Sequence, residues 1–236
     1  REIEERLDTA LRIAQAQIDD ILAKSARGDL MERGLFEARR ANITAILNEL
    51  AVSLKRDITN ATQEVAQAVA EVRQDETNRL LREQGLPIIT DFSEIPRRTL
   101  DLLAQRIDVE GFKVSSQLWA QSQIGTIENE VLAAIARGTS AAELGRRVRG
   151  YLLGSDALTP QELADLRTVK GVDRRKLGHS ISYKAKRLAR TEINNAYWES
   201  GRLSAQDSPV VLGIQWNLSN AHPKWDVCDI LAKQDM

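Results

Sequence analysis

The residues best suited to chemistry lie near the end of the chain, in the stretch 222–229 with the sequence HPKWDVCD. Zinc binds imidazole and thiolate readily, and structural zinc sites are usually four-coordinate. His222 and Cys228 cannot complete such a site alone, so we predict no metal within these 236 residues. We interpret His222 and Asp226 as hydrogen-bonding residues of a tight loop, which turns into a short helix at Asp229. Cys228 then serves as a small buried apolar residue.

A second candidate is the triplet Arg190, Thr191 and Glu192, which lies on a predicted helix. It could be catalytic or part of a structural ion-pair network. Residues two apart on a helix point to different sides, so Arg190 and Glu192 do not pair locally. We favour structural anchoring and predict that Arg190 bridges to Asp226 or Asp229, because the guanidinium fork matches a carboxylate.

The middle of the chain is basic. Residues 138–190 contain twelve Lys or Arg against five Asp or Glu, a net charge of +7, whereas the whole chain has −1. Such a segment can face phosphate or an acidic partner protein, or it can be a solvated helix face. The candidate contact residues are Arg146, Arg147, Arg149, Arg174, Arg175 and Lys176. For the helix near residue 146, we expect Leu144 and Val148 inside and the three arginines outside.

Tryptophan is concentrated in the same C-terminal region, at Trp198, Trp216 and Trp225. These rings could stack on bases, but aromatic residues make up only 4% of the chain, so we interpret them as a small core. Residues 210–218 form a predicted strand on which Ile214 and Trp216 share one side. We predict that Trp198 packs against Trp216 and that the 222–229 loop closes over them. The chain has no P-loop, GxSxG, HExxH or dinucleotide fingerprint, and we predict that it is not an enzyme.

Three patterns follow one another in a fixed order: L-A-R-T-E-x-x-x-A-Y, then Ile-x-Trp, then H-P-x-x-D-x-C-D. Together they resemble the phage Mu F-like head-morphogenesis family, the minor head proteins of tailed phages, over about the last 55 residues. The resemblance implies a minor capsid protein in the virion, at or near the portal inside the head, and in the host cytoplasm during assembly. It would assist head assembly and DNA packaging or delivery. Its expected partners are the portal protein, other capsid components and packaged DNA, with several copies per particle.

In the family the chain continues into a Pro-rich segment that closes with H-P-x-C-x-C. We therefore expect a continuation beyond Met236 and zinc only together with it. The Arg-Thr-Glu triplet recurs in the family without an assigned reaction. An enzymatic or toxin-like module is the alternative, since family members are sometimes fused to toxin domains, although a catalytic motif is missing. A DNA-binding adaptor outside a virion is a further alternative.

The elements that must position these residues are mostly helices. Apolar residues at intervals of three and four predict an amphipathic helix over 1–24. A second helix runs from 35 to 84 without Gly or Pro, about 50 residues or about 75 Å. It carries three eleven-residue series: Ile43, Leu54, Val65; Leu47, Ile58, Val69; Leu50, Ala61, Val72.

An eleven-residue repeat corresponds to 3.67 residues per turn, so partner helices would pack almost straight along it. A lone helix cannot bury this stripe; it needs the first helix, neighbouring copies of the chain, or both. We predict an assembly element. Its oligomerisation residues are Ile43, Leu47, Leu50, Leu54, Ile58 and Val65.

Further helices are predicted from 96, over 112–137, from a capping box at Ser140–Glu143, from Thr159-Pro160, and over 180–205. The fold class is mainly α, with an elongated N-terminal helical hairpin (1–85), a central helical domain with the basic segment (86–178) and a small C-terminal α+β module (179–236). The chain has one cysteine, which excludes an internal disulfide. No apolar run reaches the roughly 18 residues of a membrane span.

Overall fold

The structure, a computed structural model, describes residues 2–24, 33–105, 141–168 and 180–213, with the three positions 125, 127 and 129. Within these residues the protein is mainly α-helical, as predicted. The helices are α1 (Glu2–Ala23), α2 (Arg33–Glu83), α3 (Ile95–Gln105), α4 (Ala141–Leu153), α5 (Pro160–Thr168) and α6 (Ile181–Asp207), with a 3₁₀ turn at Ser155–Ala157. None of these helices is both long enough and apolar enough to cross a bilayer.

The predicted end of the long helix is confirmed, and its cause is local. Gly85 has φ +69°, a conformation that glycine adopts without a steric penalty. Its N–H donates to the Arg82 carbonyl at 3.0 Å, and the Leu86 N–H donates to the Leu81 carbonyl at 2.8 Å. This pair of bonds is the Schellman arrangement, which satisfies the last carbonyls of a helix.

The starts of α5 and α6 are also set by nearby side chains. The Glu162 N–H donates to Thr159 Oγ1 at 3.2 Å, and the Thr159 N–H donates to Glu162 Oε2 at 2.9 Å. These reciprocal bonds form a capping box in front of Pro160. Ser180 caps α6 by accepting the Tyr183 N–H at 3.2 Å. The other predicted box begins at Ser140, which lies outside the described residues.

The chain divides into two compact units, and both are discontinuous in sequence. The first contains Arg1–Thr62 and Ala104–Ile193, and the second contains Gln63–Leu103 and Asn194–Met236. These units do not coincide with the predicted segments 1–85, 86–178 and 179–236. The reason is that α2 and α6 each contribute one part to the first unit and one part to the second.

The first unit is a helical bundle around one apolar core. The core contains Ile3, Leu7, Leu11, Ala14, Ile18 and Leu22 of α1; Ile43, Leu47, Leu50, Leu54, Ile58 and Ala61 of α2; Ile127; Leu144, Val148, Tyr151 and Leu152 of α4; and Ile181, Ala185 and Ala189 of α6. Helix α4 comes close to α1 at Gly145, where an added Cβ would lie 3.2 Å from Asp19 Oδ1.

This core corrects the prediction that the stripe on α2 is an oligomerisation surface. Five of the six proposed residues are at most 4% exposed and belong to the core of the first unit: Ile43, Leu47, Leu50, Leu54 and Ile58. The prediction was wrong for them because the chain covers the stripe with its own α1, α4 and α6. Val65, the sixth, belongs to the second unit, where it is half-buried.

The second unit packs helices closely through small residues. Ala66 and Ala70 of α2 and Ala196 and Ser200 of α6 are each at most 3% exposed. Ser200 Oγ donates to the Ala66 carbonyl at 2.8 Å, a contact that requires the two helix backbones to be close together. Phe92 and other apolar residues add a second small core.

Two predicted elements lie largely outside the described residues. Of the helix predicted over 112–137, positions 125, 127 and 129 are helical, and Ile127 is fully buried. Of the strand predicted over 210–218, the described part is a turn at Val210 followed by residues 211–213 without regular structure. The strand prediction is wrong for that part, where Leu212 is completely exposed.

Candidate functional site

A row of polar contacts joins α1 to the first half of α6, and we call it the α1–α6 seam. It consists of Glu4 and Asp8 on α1 and Ser182, Lys186 and Arg190 on α6. The residues are spaced by four on both helices, so each set lies on one helix face. Glu4 pairs with the later residue of α6 and Asp8 with the earlier ones, so the two helices run antiparallel.

The seam is held by short, charge-assisted hydrogen bonds. Arg190 Nε donates to Glu4 Oε1 at 2.6 Å, and Lys186 Nζ donates to Asp8 Oδ2 at 2.7 Å. Ser182 Oγ donates to the other Asp8 oxygen at 2.9 Å. Both oxygens of Asp8 are therefore occupied by donors from a single neighbouring helix, which fixes the register of α6 on α1.

These contacts change the acidity of the carboxylates. Burial by itself would raise the pKa of Asp8, but the hydrogen bonds from Lys186 and Ser182 outweigh it and lower that pKa below its ordinary value. The hydrogen bond from Arg190, supported by its charge, lowers the pKa of Glu4. The same contact with Glu4 raises the pKa of Arg190. The seam is therefore most favourable when both carboxylates are ionised.

The Arg-Thr-Glu triplet does not converge on one point. Arg190 reaches α1, whereas the exposed Thr191 donates its hydroxyl to the Arg187 carbonyl one turn earlier at 3.0 Å. Glu192 is half-buried. These are the contacts of residues that anchor a helix, with Glu4 as the acid that Arg190 binds. The predicted acceptors Asp226 and Asp229 lie outside the described residues.

Sequence reasoning missed Glu4 as the partner of Arg190, and Asp8 as the partner of Ser182 and Lys186. A signal was present, because two acids four residues apart on α1 match bases four residues apart on α6. Such a match is common on amphipathic helices, and only the packing of α1 on α6 selects it. The sequence separation of 186 residues between Arg190 and Glu4 hides the pair from any local pattern.

The arginines of α4 are used inside the chain. Arg147 is only 2% exposed and donates from Nη2 to Glu143, so the prediction that it points outward was wrong. It follows Leu144 by three residues and therefore shares the buried helix face. Arg149 bridges two other helices, with Nη1 3.2 Å from Glu162 Oε1 and Nη2 3.6 Å from Asp19 Oδ2.

These contacts change the interpretation of the basic segment. The charges of Arg147 and Arg149 are balanced by acids of the same chain, and Arg146 is half-buried. Three of the six candidate contact residues are thus paired or partly buried within the chain and do not form an open basic surface. The other three, Arg174, Arg175 and Lys176, lie outside the described residues.

Trp198, the one described tryptophan of the predicted C-terminal core, is 70% exposed. Its ring meets the Tyr197 ring edge to face, with centroids 5.5 Å apart. The prediction that Trp198 is a core residue was therefore wrong. Its predicted partner Trp216 lies outside the described residues, as do His222, Asp226, Cys228 and Asp229. Among the described residues there is no group of three or more His, Cys, Asp or Glu side chains that could hold a metal ion.

No family model, curated protein or solved structure matches this chain.

Proposed function

We propose that this chain is a minor head protein of a tailed phage. It would act as a helical adaptor at or near the portal inside the head, with a small C-terminal α+β module, and assist head assembly and DNA packaging or delivery. The observation that carries the proposal is the ordered trio of sequence patterns in about the last 55 residues.

The position of the first pattern supports an anchoring role rather than a catalytic one. Within L-A-R-T-E-x-x-x-A-Y, Ala189 and Ala196 are fully buried in the cores of the first and second unit, respectively. Arg190 between them binds Glu4. The pattern thus combines small residues that let neighbouring helices approach with an arginine that fixes α6 on α1. An adaptor needs such a rigid base if it presents a surface to a partner.

The contacts of the α4 arginines favour a protein over DNA as the main partner of this chain. If the described arginines bound DNA, their charges would have to be free to neutralise phosphates. Arg147 and Arg149 instead neutralise Glu143, Glu162 and Asp19. Of the partners that the resemblance implies, the portal protein is the one we propose.

The experiment is co-expression of this chain with a tagged portal protein from the same phage, followed by measurement of how much chain the portal retains. We expect retention of the wild type and its presence in purified heads. Arg190→Glu should reduce retention because the introduced carboxylate would repel Glu4. The charge swap Glu4→Arg with Arg190→Glu should restore it. Arg187→Glu, at an exposed residue of the same helix, is the matched control.

Two results would contradict these ideas at different levels. A wild-type chain that is neither retained by the portal nor present in purified heads would refute the proposed function. A charge swap that fails to restore retention lost in Arg190→Glu would instead show that Arg190 touches the partner directly, and would refute its anchoring role.

A further inference from the structure

An open groove runs along the surface of the first unit, between residues 2–17 of α1 and residues 46–57 of α2. We call it the α1–α2 groove, and its volume is about 510 Å³. Ala14 and Leu50 at its floor are at most 4% exposed, whereas Ile13 at its edge is 56% exposed. A single exposed isoleucine is ordinary, but this one stands beside an open apolar groove.

The charged residues that line the α1–α2 groove are mostly acidic. Four acids and one base give it a net charge of −3: Glu2, Glu5, Glu49, Asp57 and Arg6. The base already interacts with two of the acids, since Arg6 Nη1 is 3.9 Å from Glu2 Oε1 and Arg6 Nη2 is 3.7 Å from Asp57 Oδ1. Glu5 and Glu49 are exposed, and among the described residues no lysine or arginine forms an ion pair with either. These two carboxylates are therefore open to a partner.

The two carboxylates lie on opposite sides of the groove and at different levels. Because α2 follows α1 in the chain, the contact of Arg6, near the start of α1, with Asp57 means that the helices run antiparallel. Glu49 is eight residues before Asp57, so it lies near the level of Ala14, which is eight residues after Arg6. Glu5 is nine residues before Ala14. The two carboxylates are thus separated by about 13 Å along the groove, at about 1.5 Å per residue.

We propose that the α1–α2 groove binds a basic amphipathic helix of a partner protein. A groove between two antiparallel helices fits a third helix, whose side-chain ridge packs between the other two. Residues nine positions apart on that helix are separated by about 2.5 turns, or about 13 Å, so they project to opposite flanks. Lys or Arg at such positions would reach Glu5 and Glu49. An apolar stripe between them would pack on Ile13 and the groove floor.

The charge of the groove decides against other occupants. Nucleic acid would bring phosphates against acids, and the same groove of a second copy would bring a net charge of −3 against −3. Like charges at facing positions are unfavourable. The groove can take a basic helix from any protein, so its binding is independent of the proposed role in a phage head.

The length of the groove sets the expected strength. Residues 2–17 span about 22 Å of helix at about 1.5 Å per residue. One helix of about four turns covers less than the roughly 800 Å² per partner of a stable complex, so the contact should be weak and reversible. Exposed ion pairs contribute little individually, so binding should need both the apolar stripe and the two cations.

The test is a titration of a labelled helical peptide of about 16 residues with the full chain, up to about 500 µM, followed by fluorescence anisotropy. The peptide carries leucines at intervals of three and four and two lysines nine positions apart on its two flanks. We expect saturable binding. A peptide with both lysines replaced by glutamates should not bind. A peptide with the lysines seven positions apart, which places both on one flank, should bind about threefold more weakly or worse.

Variants of the chain locate the binding site. Glu5→Lys together with Glu49→Lys should weaken binding of the basic peptide at least tenfold, because both attractions become repulsions. Ile13→Asn should also weaken it, because the apolar stripe loses its contact. The matched control is Glu64→Lys together with Asp75→Lys, which makes the same change of charge at two exposed acids of α2 outside the groove. Its affinity should equal that of the wild type, and circular dichroism should be unchanged in all variants.

Four results would overturn the proposal. The first is absence of binding of the basic peptide over the whole titration. The second is equal binding of the peptide with glutamates. The third is an equal loss of affinity in the control variant, which would mean that the peptide responds only to the net charge of the chain. The fourth is a dimer of the chain alone in sedimentation velocity that Ile13→Asn disrupts, which would mean that a second copy covers the groove.

Discussion

Replacing Leu47 with alanine tests whether the stripe on α2 is core or interface. Leu47 has no exposed surface and belongs to the core of the first unit. The substitution removes three carbons, each contributing about 0.8 kcal/mol of transfer free energy when buried. The remaining cavity adds to this cost, so the free energy of unfolding should fall by about 3 to 5 kcal/mol. For a chain of this size, that corresponds to a decrease in the melting temperature of roughly 6 to 20 °C.

Val52→Ala is the control on the same helix. Val52 is 67% exposed, so little buried surface is lost, and alanine has the higher helix propensity. Its free energy of unfolding should change by less than about 0.5 kcal/mol. Both variants are measured by urea denaturation followed by circular dichroism, with the mass of the native protein determined at the same concentration.

The assignment of Leu47 to the core would be refuted if Leu47→Ala were as stable as the wild type but lost self-association. That result would mean that Leu47 faces a second copy and that α1 does not cover it. A large loss of stability in the Val52 control would also contradict the assignment of buried and exposed faces.

Two further predictions concern single residues. Asp8→Asn should make the loss of stability below about pH 4 smaller. The pKa of Asp8 is lowered in the folded protein. Its carboxylate therefore stabilises the fold above the unfolded pKa of about 3.9, and this stabilisation is lost as the pH falls through the folded pKa. Urea midpoints at several pH values measure this, and an unchanged pH dependence would contradict the role of Asp8 in the seam. Gly85→Ala should destabilise the protein by about 1 kcal/mol, because a residue with a Cβ is strained at φ +69° although nothing lies within 4 Å of the added atom. Thermal unfolding measures this, and an unchanged melting temperature would show that the end of α2 tolerates another conformation.

Much of the local structure could be predicted from the sequence. The end of α2 at Gly85 and the starts of α5 at Thr159 and α6 at Ser180 follow from residues within one turn of each boundary. Capping bonds act over three to five residues, so the sequence contains both partners next to each other. The amphipathic periodicity of α1 also predicted its buried face, from Ile3 to Leu22.

The partners of these elements were decided only by the tertiary structure. The eleven-residue series showed that α2 needed a covering surface, but periodicity is the same whether that surface belongs to the chain itself or to another copy. The structure places Leu47 in a core that α2 shares with α1 and leaves Val72 exposed. The role of the basic segment was ambiguous for the same reason. Arg147 and Arg149 contribute to the net charge of the segment whether or not acids surround them in the fold.

The Arg-Thr-Glu motif shows the same division. The sequence determined that Arg190 lies on a helix and needs an acid, because a guanidinium is always charged and binds carboxylates. It could not determine which of many acids that would be. Glu4 is its partner because the apolar faces of α1 and α6 share one core, and packing that core brings the two side chains together. Local hydrogen bonds fix where helices begin and end. Burial of apolar surface fixes which residues meet, and because it is non-directional, a short stretch of sequence does not reveal the partners.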